Sequence, residues 1–181
     1  HTPGIDAAGI IEESSISLFP KGTRVIVTGY DLGMNTPGGF SQYIRVPHSW
    51  VIKCPSKLSL KEAMMIGTAG ITAGLSINTI SQKLQIKNLH VLVSGASGGV
   101  GSLAVNILSS LGASVTAVTG KDTSHEFLES LGASHIISRS SFLEETKFPL
   151  NKGIYDAAID VVGGNVLSSI LAKMRYGGIV I

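Results

Sequence analysis

Apolar and polar positions follow one rhythm over the first third of the chain and another beyond it. From residue 4 to residue 53 the period is mostly two, which predicts strands over Ile5–Glu12, Arg24–Thr28, Phe40–Val46 and Val51–Lys53. Clusters of Gly and Pro, Phe19-Pro20-Lys21-Gly22 and Asn35-Thr36-Pro37-Gly38-Gly39, separate these runs as turns. Near residue 65 the period changes to three or four, and that change sets the expected division into residues 1–64 and 65–181. A helix opens at Leu58–Ala63, where Ser59 as N-cap and Glu62 three residues on make a capping box. Residues 63–80 lack charge but carry Gly67, Gly70 and Gly74 among several Thr and Ser. That composition reads as a buried helix rather than a membrane span.

From Leu89 onward strand and helix alternate. Leu89–Ser94 is a short run rich in Leu and Val, and Gly95-Ala96-Ser97-Gly98-Gly99-Val100-Gly101 follows it. Val100, Leu103, Ala104, Ile107, Leu108 and Leu111 then form the apolar stripe of a helix packed on a sheet, and Gly112 stands where its end needs a left-handed residue. Ser114–Thr119 is the second strand. Thr123 and Glu126 make another capping box, ahead of a face of Phe127, Leu128 and Leu131 that Gly132 closes. His135–Ser138 is a third strand, residues 140–153 a helix and loop, and Tyr155–Val162 a fourth strand ending in Gly163-Gly164. Val166, Leu167, Ile170, Leu171 and Met174 form a last helical face before Gly177-Gly178 and a strand cut by the chain end. Such alternation implies right-handed crossovers and a parallel sheet, an α/β fold of the doubly wound Rossmann type. A strand, a glycine turn and a helix in that order form its phosphate-binding corner: a pyrophosphate reaches backbone N–H groups only where no Cβ blocks it, and the helix start adds partial positive charge.

Composition narrows the picture. The 181 residues suffice for one ordinary domain or parts of two; a start at His1 and an end inside Gly178-Ile179-Val180-Ile181 read as an internal segment, truncated at its C-terminal end. Charged residues are 14%, against about a quarter in ordinary domains, which fits a parallel sheet covered on both faces. The formal net charge is +2 with no Lys/Arg patch, so nucleic acid is not an expected partner. A single cysteine, Cys54, excludes a disulfide framework and a cysteine zinc site, and points to a reducing compartment, the cytoplasm. No metal site is expected, and none of the five histidines has a recognisable partner.

The end of the second strand bears on the cofactor. Sites for NAD place an acid there, about 20 residues past the glycines. Here Thr119-Gly120-Lys121 occupies the place, and threonine neither demands a free 2′-OH nor repels a phosphate. Lys121, and Arg139 just past the third strand, can pair with a 2′-phosphate, so NADPH is expected; the other reading makes both ordinary surface charges. Asp122 would oppose a phosphate, but its place before Thr123 reads as a solvent-facing helix start. Ser94-Gly95 through Gly99-Val100-Gly101 also fits the glycine motif of short-chain dehydrogenases. That class needs Tyr-x-x-x-Lys downstream, and neither Tyr155 nor Tyr176 has a Lys four residues later.

The motifs Pro3-Gly4-Ile5-Asp6-Ala7-Ala8-Gly9, Val27-Thr28-Gly29-Tyr30-Asp31-Leu32-Gly33-Met34-Asn35, Gly38-Gly39-Phe40, Gly67-Thr68-Ala69-Gly70-Ile71-Thr72-Ala73, Asp160-Val161-Val162-Gly163-Gly164 and Arg175-Tyr176-Gly177-Gly178 run over essentially the whole segment. Together they resemble the medium-chain dehydrogenase/reductase superfamily, and within it the acryloyl-CoA reductase and putative quinone oxidoreductase family. The resemblance implies part of a GroES-like β domain followed by a Rossmann domain. Ile5 stands where the zinc alcohol dehydrogenases carry a ligand histidine, which implies a zinc-independent branch. It further implies that Ser97, Gly98, Gly99, Val100 and Gly101 hold the pyrophosphate, and Thr119, Gly120, Lys121 and Arg139 the adenosine end. Thr72 would contact the nicotinamide amide, with Thr68 a turn earlier near the reacting ring, or both would simply pack in the helix; Val161 and Val162 would line the nicotinamide ribose. Tyr30 and Asn35 have two readings, substrate-side groups or turn residues. The implied activity is hydride transfer from NADPH to the β-carbon of an α,β-unsaturated thioester such as acryloyl-CoA, with quinone reduction and non-catalytic NADPH binding as alternatives. The partners implied are a small enoyl thioester or quinone and, for the full-length protein, a second copy in a homodimer, with no membrane.

Overall fold

The computed structural model describes residues 2–144 and 152–181, and the chain divides into two compact units, His1–Ile71 and Thr72–Ile181. In the first, β1 (Asp6–Ile10), β2 (Arg24–Thr28) and β3 (Val51–Lys53) form an antiparallel sheet in that order. Asp6 faces Thr28 and Ala8 faces Ile26, which in turn faces Ile52. The β-branched run Val25-Ile26-Val27 is buried at the centre of this sheet.

The strand expected over Phe40–Val46 is absent from the structure. Its apolar alternation finds no partner to bury against: Phe40 and Tyr43 are 79% and 78% exposed. Ser41 turns the chain instead, its N–H on the Gly39 carbonyl and its hydroxyl on that of Tyr43. Just before, the N–H groups of Gly38, Gly39 and Phe40 donate to the carbonyls of Thr2, Gly4 and Pro3. A Cβ at Gly38 or Gly39 would overlap the Pro3 or Asp6 carbonyl, so the glycine pair is what allows this close backbone approach.

α1 (Leu60–Ser81) starts at the expected capping box. The Ser59 hydroxyl accepts the Glu62 N–H at 3.1 Å, while the Glu62 carboxylate accepts the Ser59 hydroxyl at 2.6 Å and its N–H at 2.8 Å. Those two donors hold the Glu62 carboxyl below its usual range. The helix breaks at Gly67 (φ +47°, ψ −154°). It is long and apolar enough to cross a membrane, yet carries that break, and 28% of the apolar stretch is buried. The expectation of a buried helix is corrected accordingly. Ala73, Ile77 and Ile80, at helical spacing, enter the core of the second unit, and Met65 and Leu75 stand exposed.

The second unit is a parallel sheet of β4 (His90–Val93), β5 (Ser114–Thr119), β6 (His135–Ser138), β7 (Tyr155–Ile159) and β8 (Met174–Val180) in the order β6-β5-β4-β7-β8. On one face Val91, Val93, Val115 and Ala117 pack against α1 and α2 (Gly99–Ser110), with Ala104, Val105 and Leu108 fully buried. On the other, Leu92, Val118 and Ala158 pack with Phe142 of α4 (Arg139–Glu144) and with Val166 and Ile170 of α5 (Gly164–Ala172). This is the doubly wound arrangement read from the alternation. The strand order reverses at β4, so the gap beyond the ends of β4 and β7 is the switch point where such sheets take ligands.

Three local expectations need correction. Thr123 does not cap a helix: residues Asp122–Ser124 form a tight 3-10 turn, and α3 (His125–Ser130) begins after it without a side-chain cap. Gly132 does close that helix at φ +95°. Met174 opens β8 rather than ending α5, and Gly177-Gly178 lie inside the strand. There the β7–β8 register slips between Tyr155 and Ala157, and Arg175 reaches Asp156 at 2.6 Å. The helix expected within residues 140–153 is α4, and residues 145–151 of that span lie outside the described residues.

Candidate functional site

Ser94 directly follows β4, and its buried hydroxyl donates to the Asp160 carboxylate and accepts the Val161 N–H at 3.0 Å. Asp160 also accepts the N–H groups of Val162 (3.2 Å) and Gly163 (3.0 Å), an Asx-type turn past β7. Ser94 and Asp160 thus tie together the two strand ends that flank the switch point. Gly95 turns at φ +55°, and a Cβ on it would lie 2.7 Å from Val161 Cγ2. A Cβ on Gly101 would overlap the Gly95 carbonyl oxygen and sit 2.7 Å from Ala96 Cα. Glycine at 95 and at 101 therefore lets the start of α2 and the Val161 side chain pack directly on the turn. Gly98 is the N-cap of α2, and no side chain caps the helix. The N–H groups of Gly99, Val100 and Gly101 have no acceptor within the helix and stand at its positive end.

The other expected residues take distinct places. Thr119, at the end of β5, is 1% exposed; its hydroxyl lies 2.9 Å from that of Ser97 and accepts the Lys121 N–H at 3.1 Å. Both hydroxyls thus organise the turn. Gly120 leaves room for the Arg139 guanidinium, whose carbon would lie 3.2 Å from a Cβ there. Lys121, Asp122 and Arg139 are exposed beyond the ends of β5 and β6. Val161 and Val162 are 43% and 46% exposed past β7. Thr72 is exposed on α1, and its carbonyl accepts the Ser76 hydroxyl.

In the first unit the Thr68 N–H and hydroxyl both donate to the Asp6 carboxylate, at 3.1 and 2.9 Å. Tyr30, in left-handed conformation at φ +55°, stacks on Trp50 with ring centres 5.2 Å apart and planes at 3°. Asn35 donates to the Asp31 carboxylate at 3.1 Å and braces the same loop. Thr28, opposite Asp6, carries a buried hydroxyl with no hydrogen-bond partner among the described residues. Among the described residues no three His, Cys, Asp or Glu side chains group to hold a metal. Sequence reading missed Asp6, Ser94 and Asp160. Asp160 carried a signal, an Asp at a strand end before Gly-Gly; Asp6 meets a helix 62 residues away, and no local pattern announces that.

Residues 1–56 match the family model for the alcohol dehydrogenase GroES-like domain, and residues 99–181 that for zinc-binding dehydrogenase. The chain is 46% identical over 176 residues to the putative quinone oxidoreductase YhfP of Bacillus subtilis, spanning 97% of this chain and 53% of the relative. It is 43% identical over 179 residues to the probable acrylyl-CoA reductase AcuI of Escherichia coli, 98% of this chain and 55% of the relative. A crystal structure of the yhdH oxidoreductase from Salmonella enterica in complex with NADP superposes with a TM-score of 0.92 at 44% identity, over 98% of this chain and 55% of that one. The B. subtilis YhfP structure with NAD bound gives 0.92 at 45% identity, over 98% and 54%. The chain spans about half the length of the curated relatives it matches.

Proposed function

We infer, from the premise that this chain belongs to the medium-chain dehydrogenase/reductase superfamily, that it serves an NADPH-dependent oxidoreductase reducing an α,β-unsaturated thioester of the acryloyl-CoA type. The observation that carries the cofactor reading is the uncapped start of α2 at the switch point, where no side chain takes the N–H groups of its first turn. A pyrophosphate suits those open donors. The N–H groups of Gly99, Val100 and Gly101 seat it; the Gly98 N–H is already on the Gly95 carbonyl. Arg139 and Lys121 take the 2′-phosphate, with Gly120 giving the guanidinium its place. Val161 and Val162 flank the nicotinamide ribose, and Thr68 and Thr72, a turn apart on α1, serve the nicotinamide. When bound, NADPH supplies the hydride from C4 that goes to the substrate's β-carbon.

The relatives named acrylyl-CoA reductase support the thioester reading. Quinone reduction is the second reading, supported by the relative named putative quinone oxidoreductase YhfP. The deciding experiment is NADPH oxidation by the full-length protein, followed by absorbance, with acryloyl-CoA, a simple quinone and NADH in parallel arms. Turnover with acryloyl-CoA and NADPH supports the first reading. Turnover with quinone alone moves the activity to the second, and NADH matching NADPH removes the phosphate role of Lys121 and Arg139. The same reading makes the full-length protein a cytoplasmic homodimer acting on a small molecule, and sedimentation showing only monomer removes the dimer.

A further inference from the structure

The turn after β7 has every backbone donor committed within the Thr72–Ile181 unit. Ser94 Oγ holds the Val161 N–H at 3.0 Å, while Asp160 Oδ1 holds the Val162 N–H at 3.2 Å and Oδ2 the Gly163 N–H at 3.0 Å. Ser94 Oγ gives its own proton to Asp160 Oδ1, and the Asp160 N–H is fixed on the Ile181 carbonyl at 2.8 Å. The two valine side chains are held as well. A Cβ at Gly95 would lie 2.7 Å from Val161 Cγ2 and 3.2 Å from Val162 Cγ2, so both methyl groups rest on the glycine turn that follows β4. Residues 161–163 therefore have no N–H left for a ligand. What they present at the switch point is two exposed valines beside a carboxylate, and an anion finds no donor there. The cations that suit an anion, Lys121 and Arg139, stand on the other side of β4, past the ends of β5 and β6.

We propose that Ser94 and Asp160 are positioning residues. By fixing residues 161–163 against the glycine turn, they shape the half of the switch-point crevice over β7, which takes the nicotinamide riboside. The half over β5 and β6, which takes the adenosine 2′-phosphate, does not depend on them. This rests on the NADPH reading above. The carboxylate is needed as such: three donors converge on its two oxygens, and a carboxylate only accepts. In Asp160→Asn, an amide nitrogen in place of Oδ2 meets the Gly163 N–H, and one in place of Oδ1 meets the Val162 N–H. Either placement sets donor against donor. Ser94→Ala is milder. It leaves Asp160 both backbone bonds and deprives only the Val161 N–H of its acceptor.

The test is calorimetric titration of the full-length protein, as wild type, Ser94→Ala and Asp160→Asn, with two ligands. One is NADP+; the other is adenosine 2′,5′-bisphosphate, which keeps the adenosine end and lacks the nicotinamide riboside. Thermal unfolding checks the fold of each variant, and Ser94→Ala carries the test should Asp160→Asn not fold. NADP+ binding is expected to weaken about tenfold in each variant, the effect of one donor left without its acceptor, with bisphosphate binding within about twofold of wild type. Because both residues act through one turn, the double variant should lose about tenfold rather than about a hundredfold. Equal weakening of the two ligands marks a general structural role, and unchanged NADP+ binding marks none; either overturns the proposal while leaving the NADPH reading standing. Binding of neither ligand by the folded wild type sinks that reading and this proposal with it.

Discussion

At the scale of single residues, the site depends on where side chains are missing as much as on where they are present. Gly101→Ala would press a methyl group into the Gly95 carbonyl, and titration should show NADPH affinity lost along with a lower unfolding temperature. Lys121→Ala and Arg139→Ala touch only the 2′-phosphate in the proposed arrangement. Each should raise the KM for NADPH roughly tenfold, at about 1.5–3 kcal/mol per charged hydrogen bond, and leave that for NADH unchanged. Asp156 gives a pH prediction. Burial pushes its carboxyl up, but the His90 N–H and then the Arg175 guanidinium outweigh it and hold the group below the usual range. A carboxyl depressed in the folded state stabilises fully above its unfolded value of about 3.9, and that contribution is lost as pH falls through the folded value. Unfolding temperature should therefore drop on acidification below about pH 4, and Asp156→Asn should flatten that drop.

At the scale of elements, β4 matters most because it is covered on both faces and flanks the switch point. Leu92 is fully buried among Phe142, Val166 and Ile170, so Leu92→Ala should lower unfolding stability by about 2–5 kcal/mol in denaturant titration. The start of α1 is held by three bonds between Ser59 and Glu62, and Ser59→Ala should cost about 1 kcal/mol by the same measurement. Where the signal was local, the elements were legible: Arg24–Thr28, Val51–Lys53, Ser114–Thr119 and His135–Ser138 appear with the bounds their patterns suggested. Where an element depends on a distant partner, they were not. Phe40–Val46 alternates as a strand should but has no neighbour to pair with among the described residues. Gly177-Gly178 read as a break before a strand, because only the pairing with β7 shows that a slipped register holds them inside it.

For the whole molecule, the strand, glycine turn and helix of residues 90–110 needed nothing beyond the order of residues. A buried β-branched run, a glycine turn and a helical stripe are close in the chain, and each follows from short-range sterics and periodicity. The parallel sheet followed too, because alternating strands and helices leave few other ways to bury both strand faces. Coordinates were needed wherever two distant segments share one group. Asp6 reaching Thr68, Ser94 joining Asp160, and Arg139 lying on Gly120 are contacts across 62, 66 and 19 residues. Hydrogen bonds and van der Waals contacts act over a few ångströms of space, whereas a linear pattern reports only neighbours along the chain. So the kind of cofactor could be read in advance, while the groups that orient the residues around it emerged only once the chain was folded.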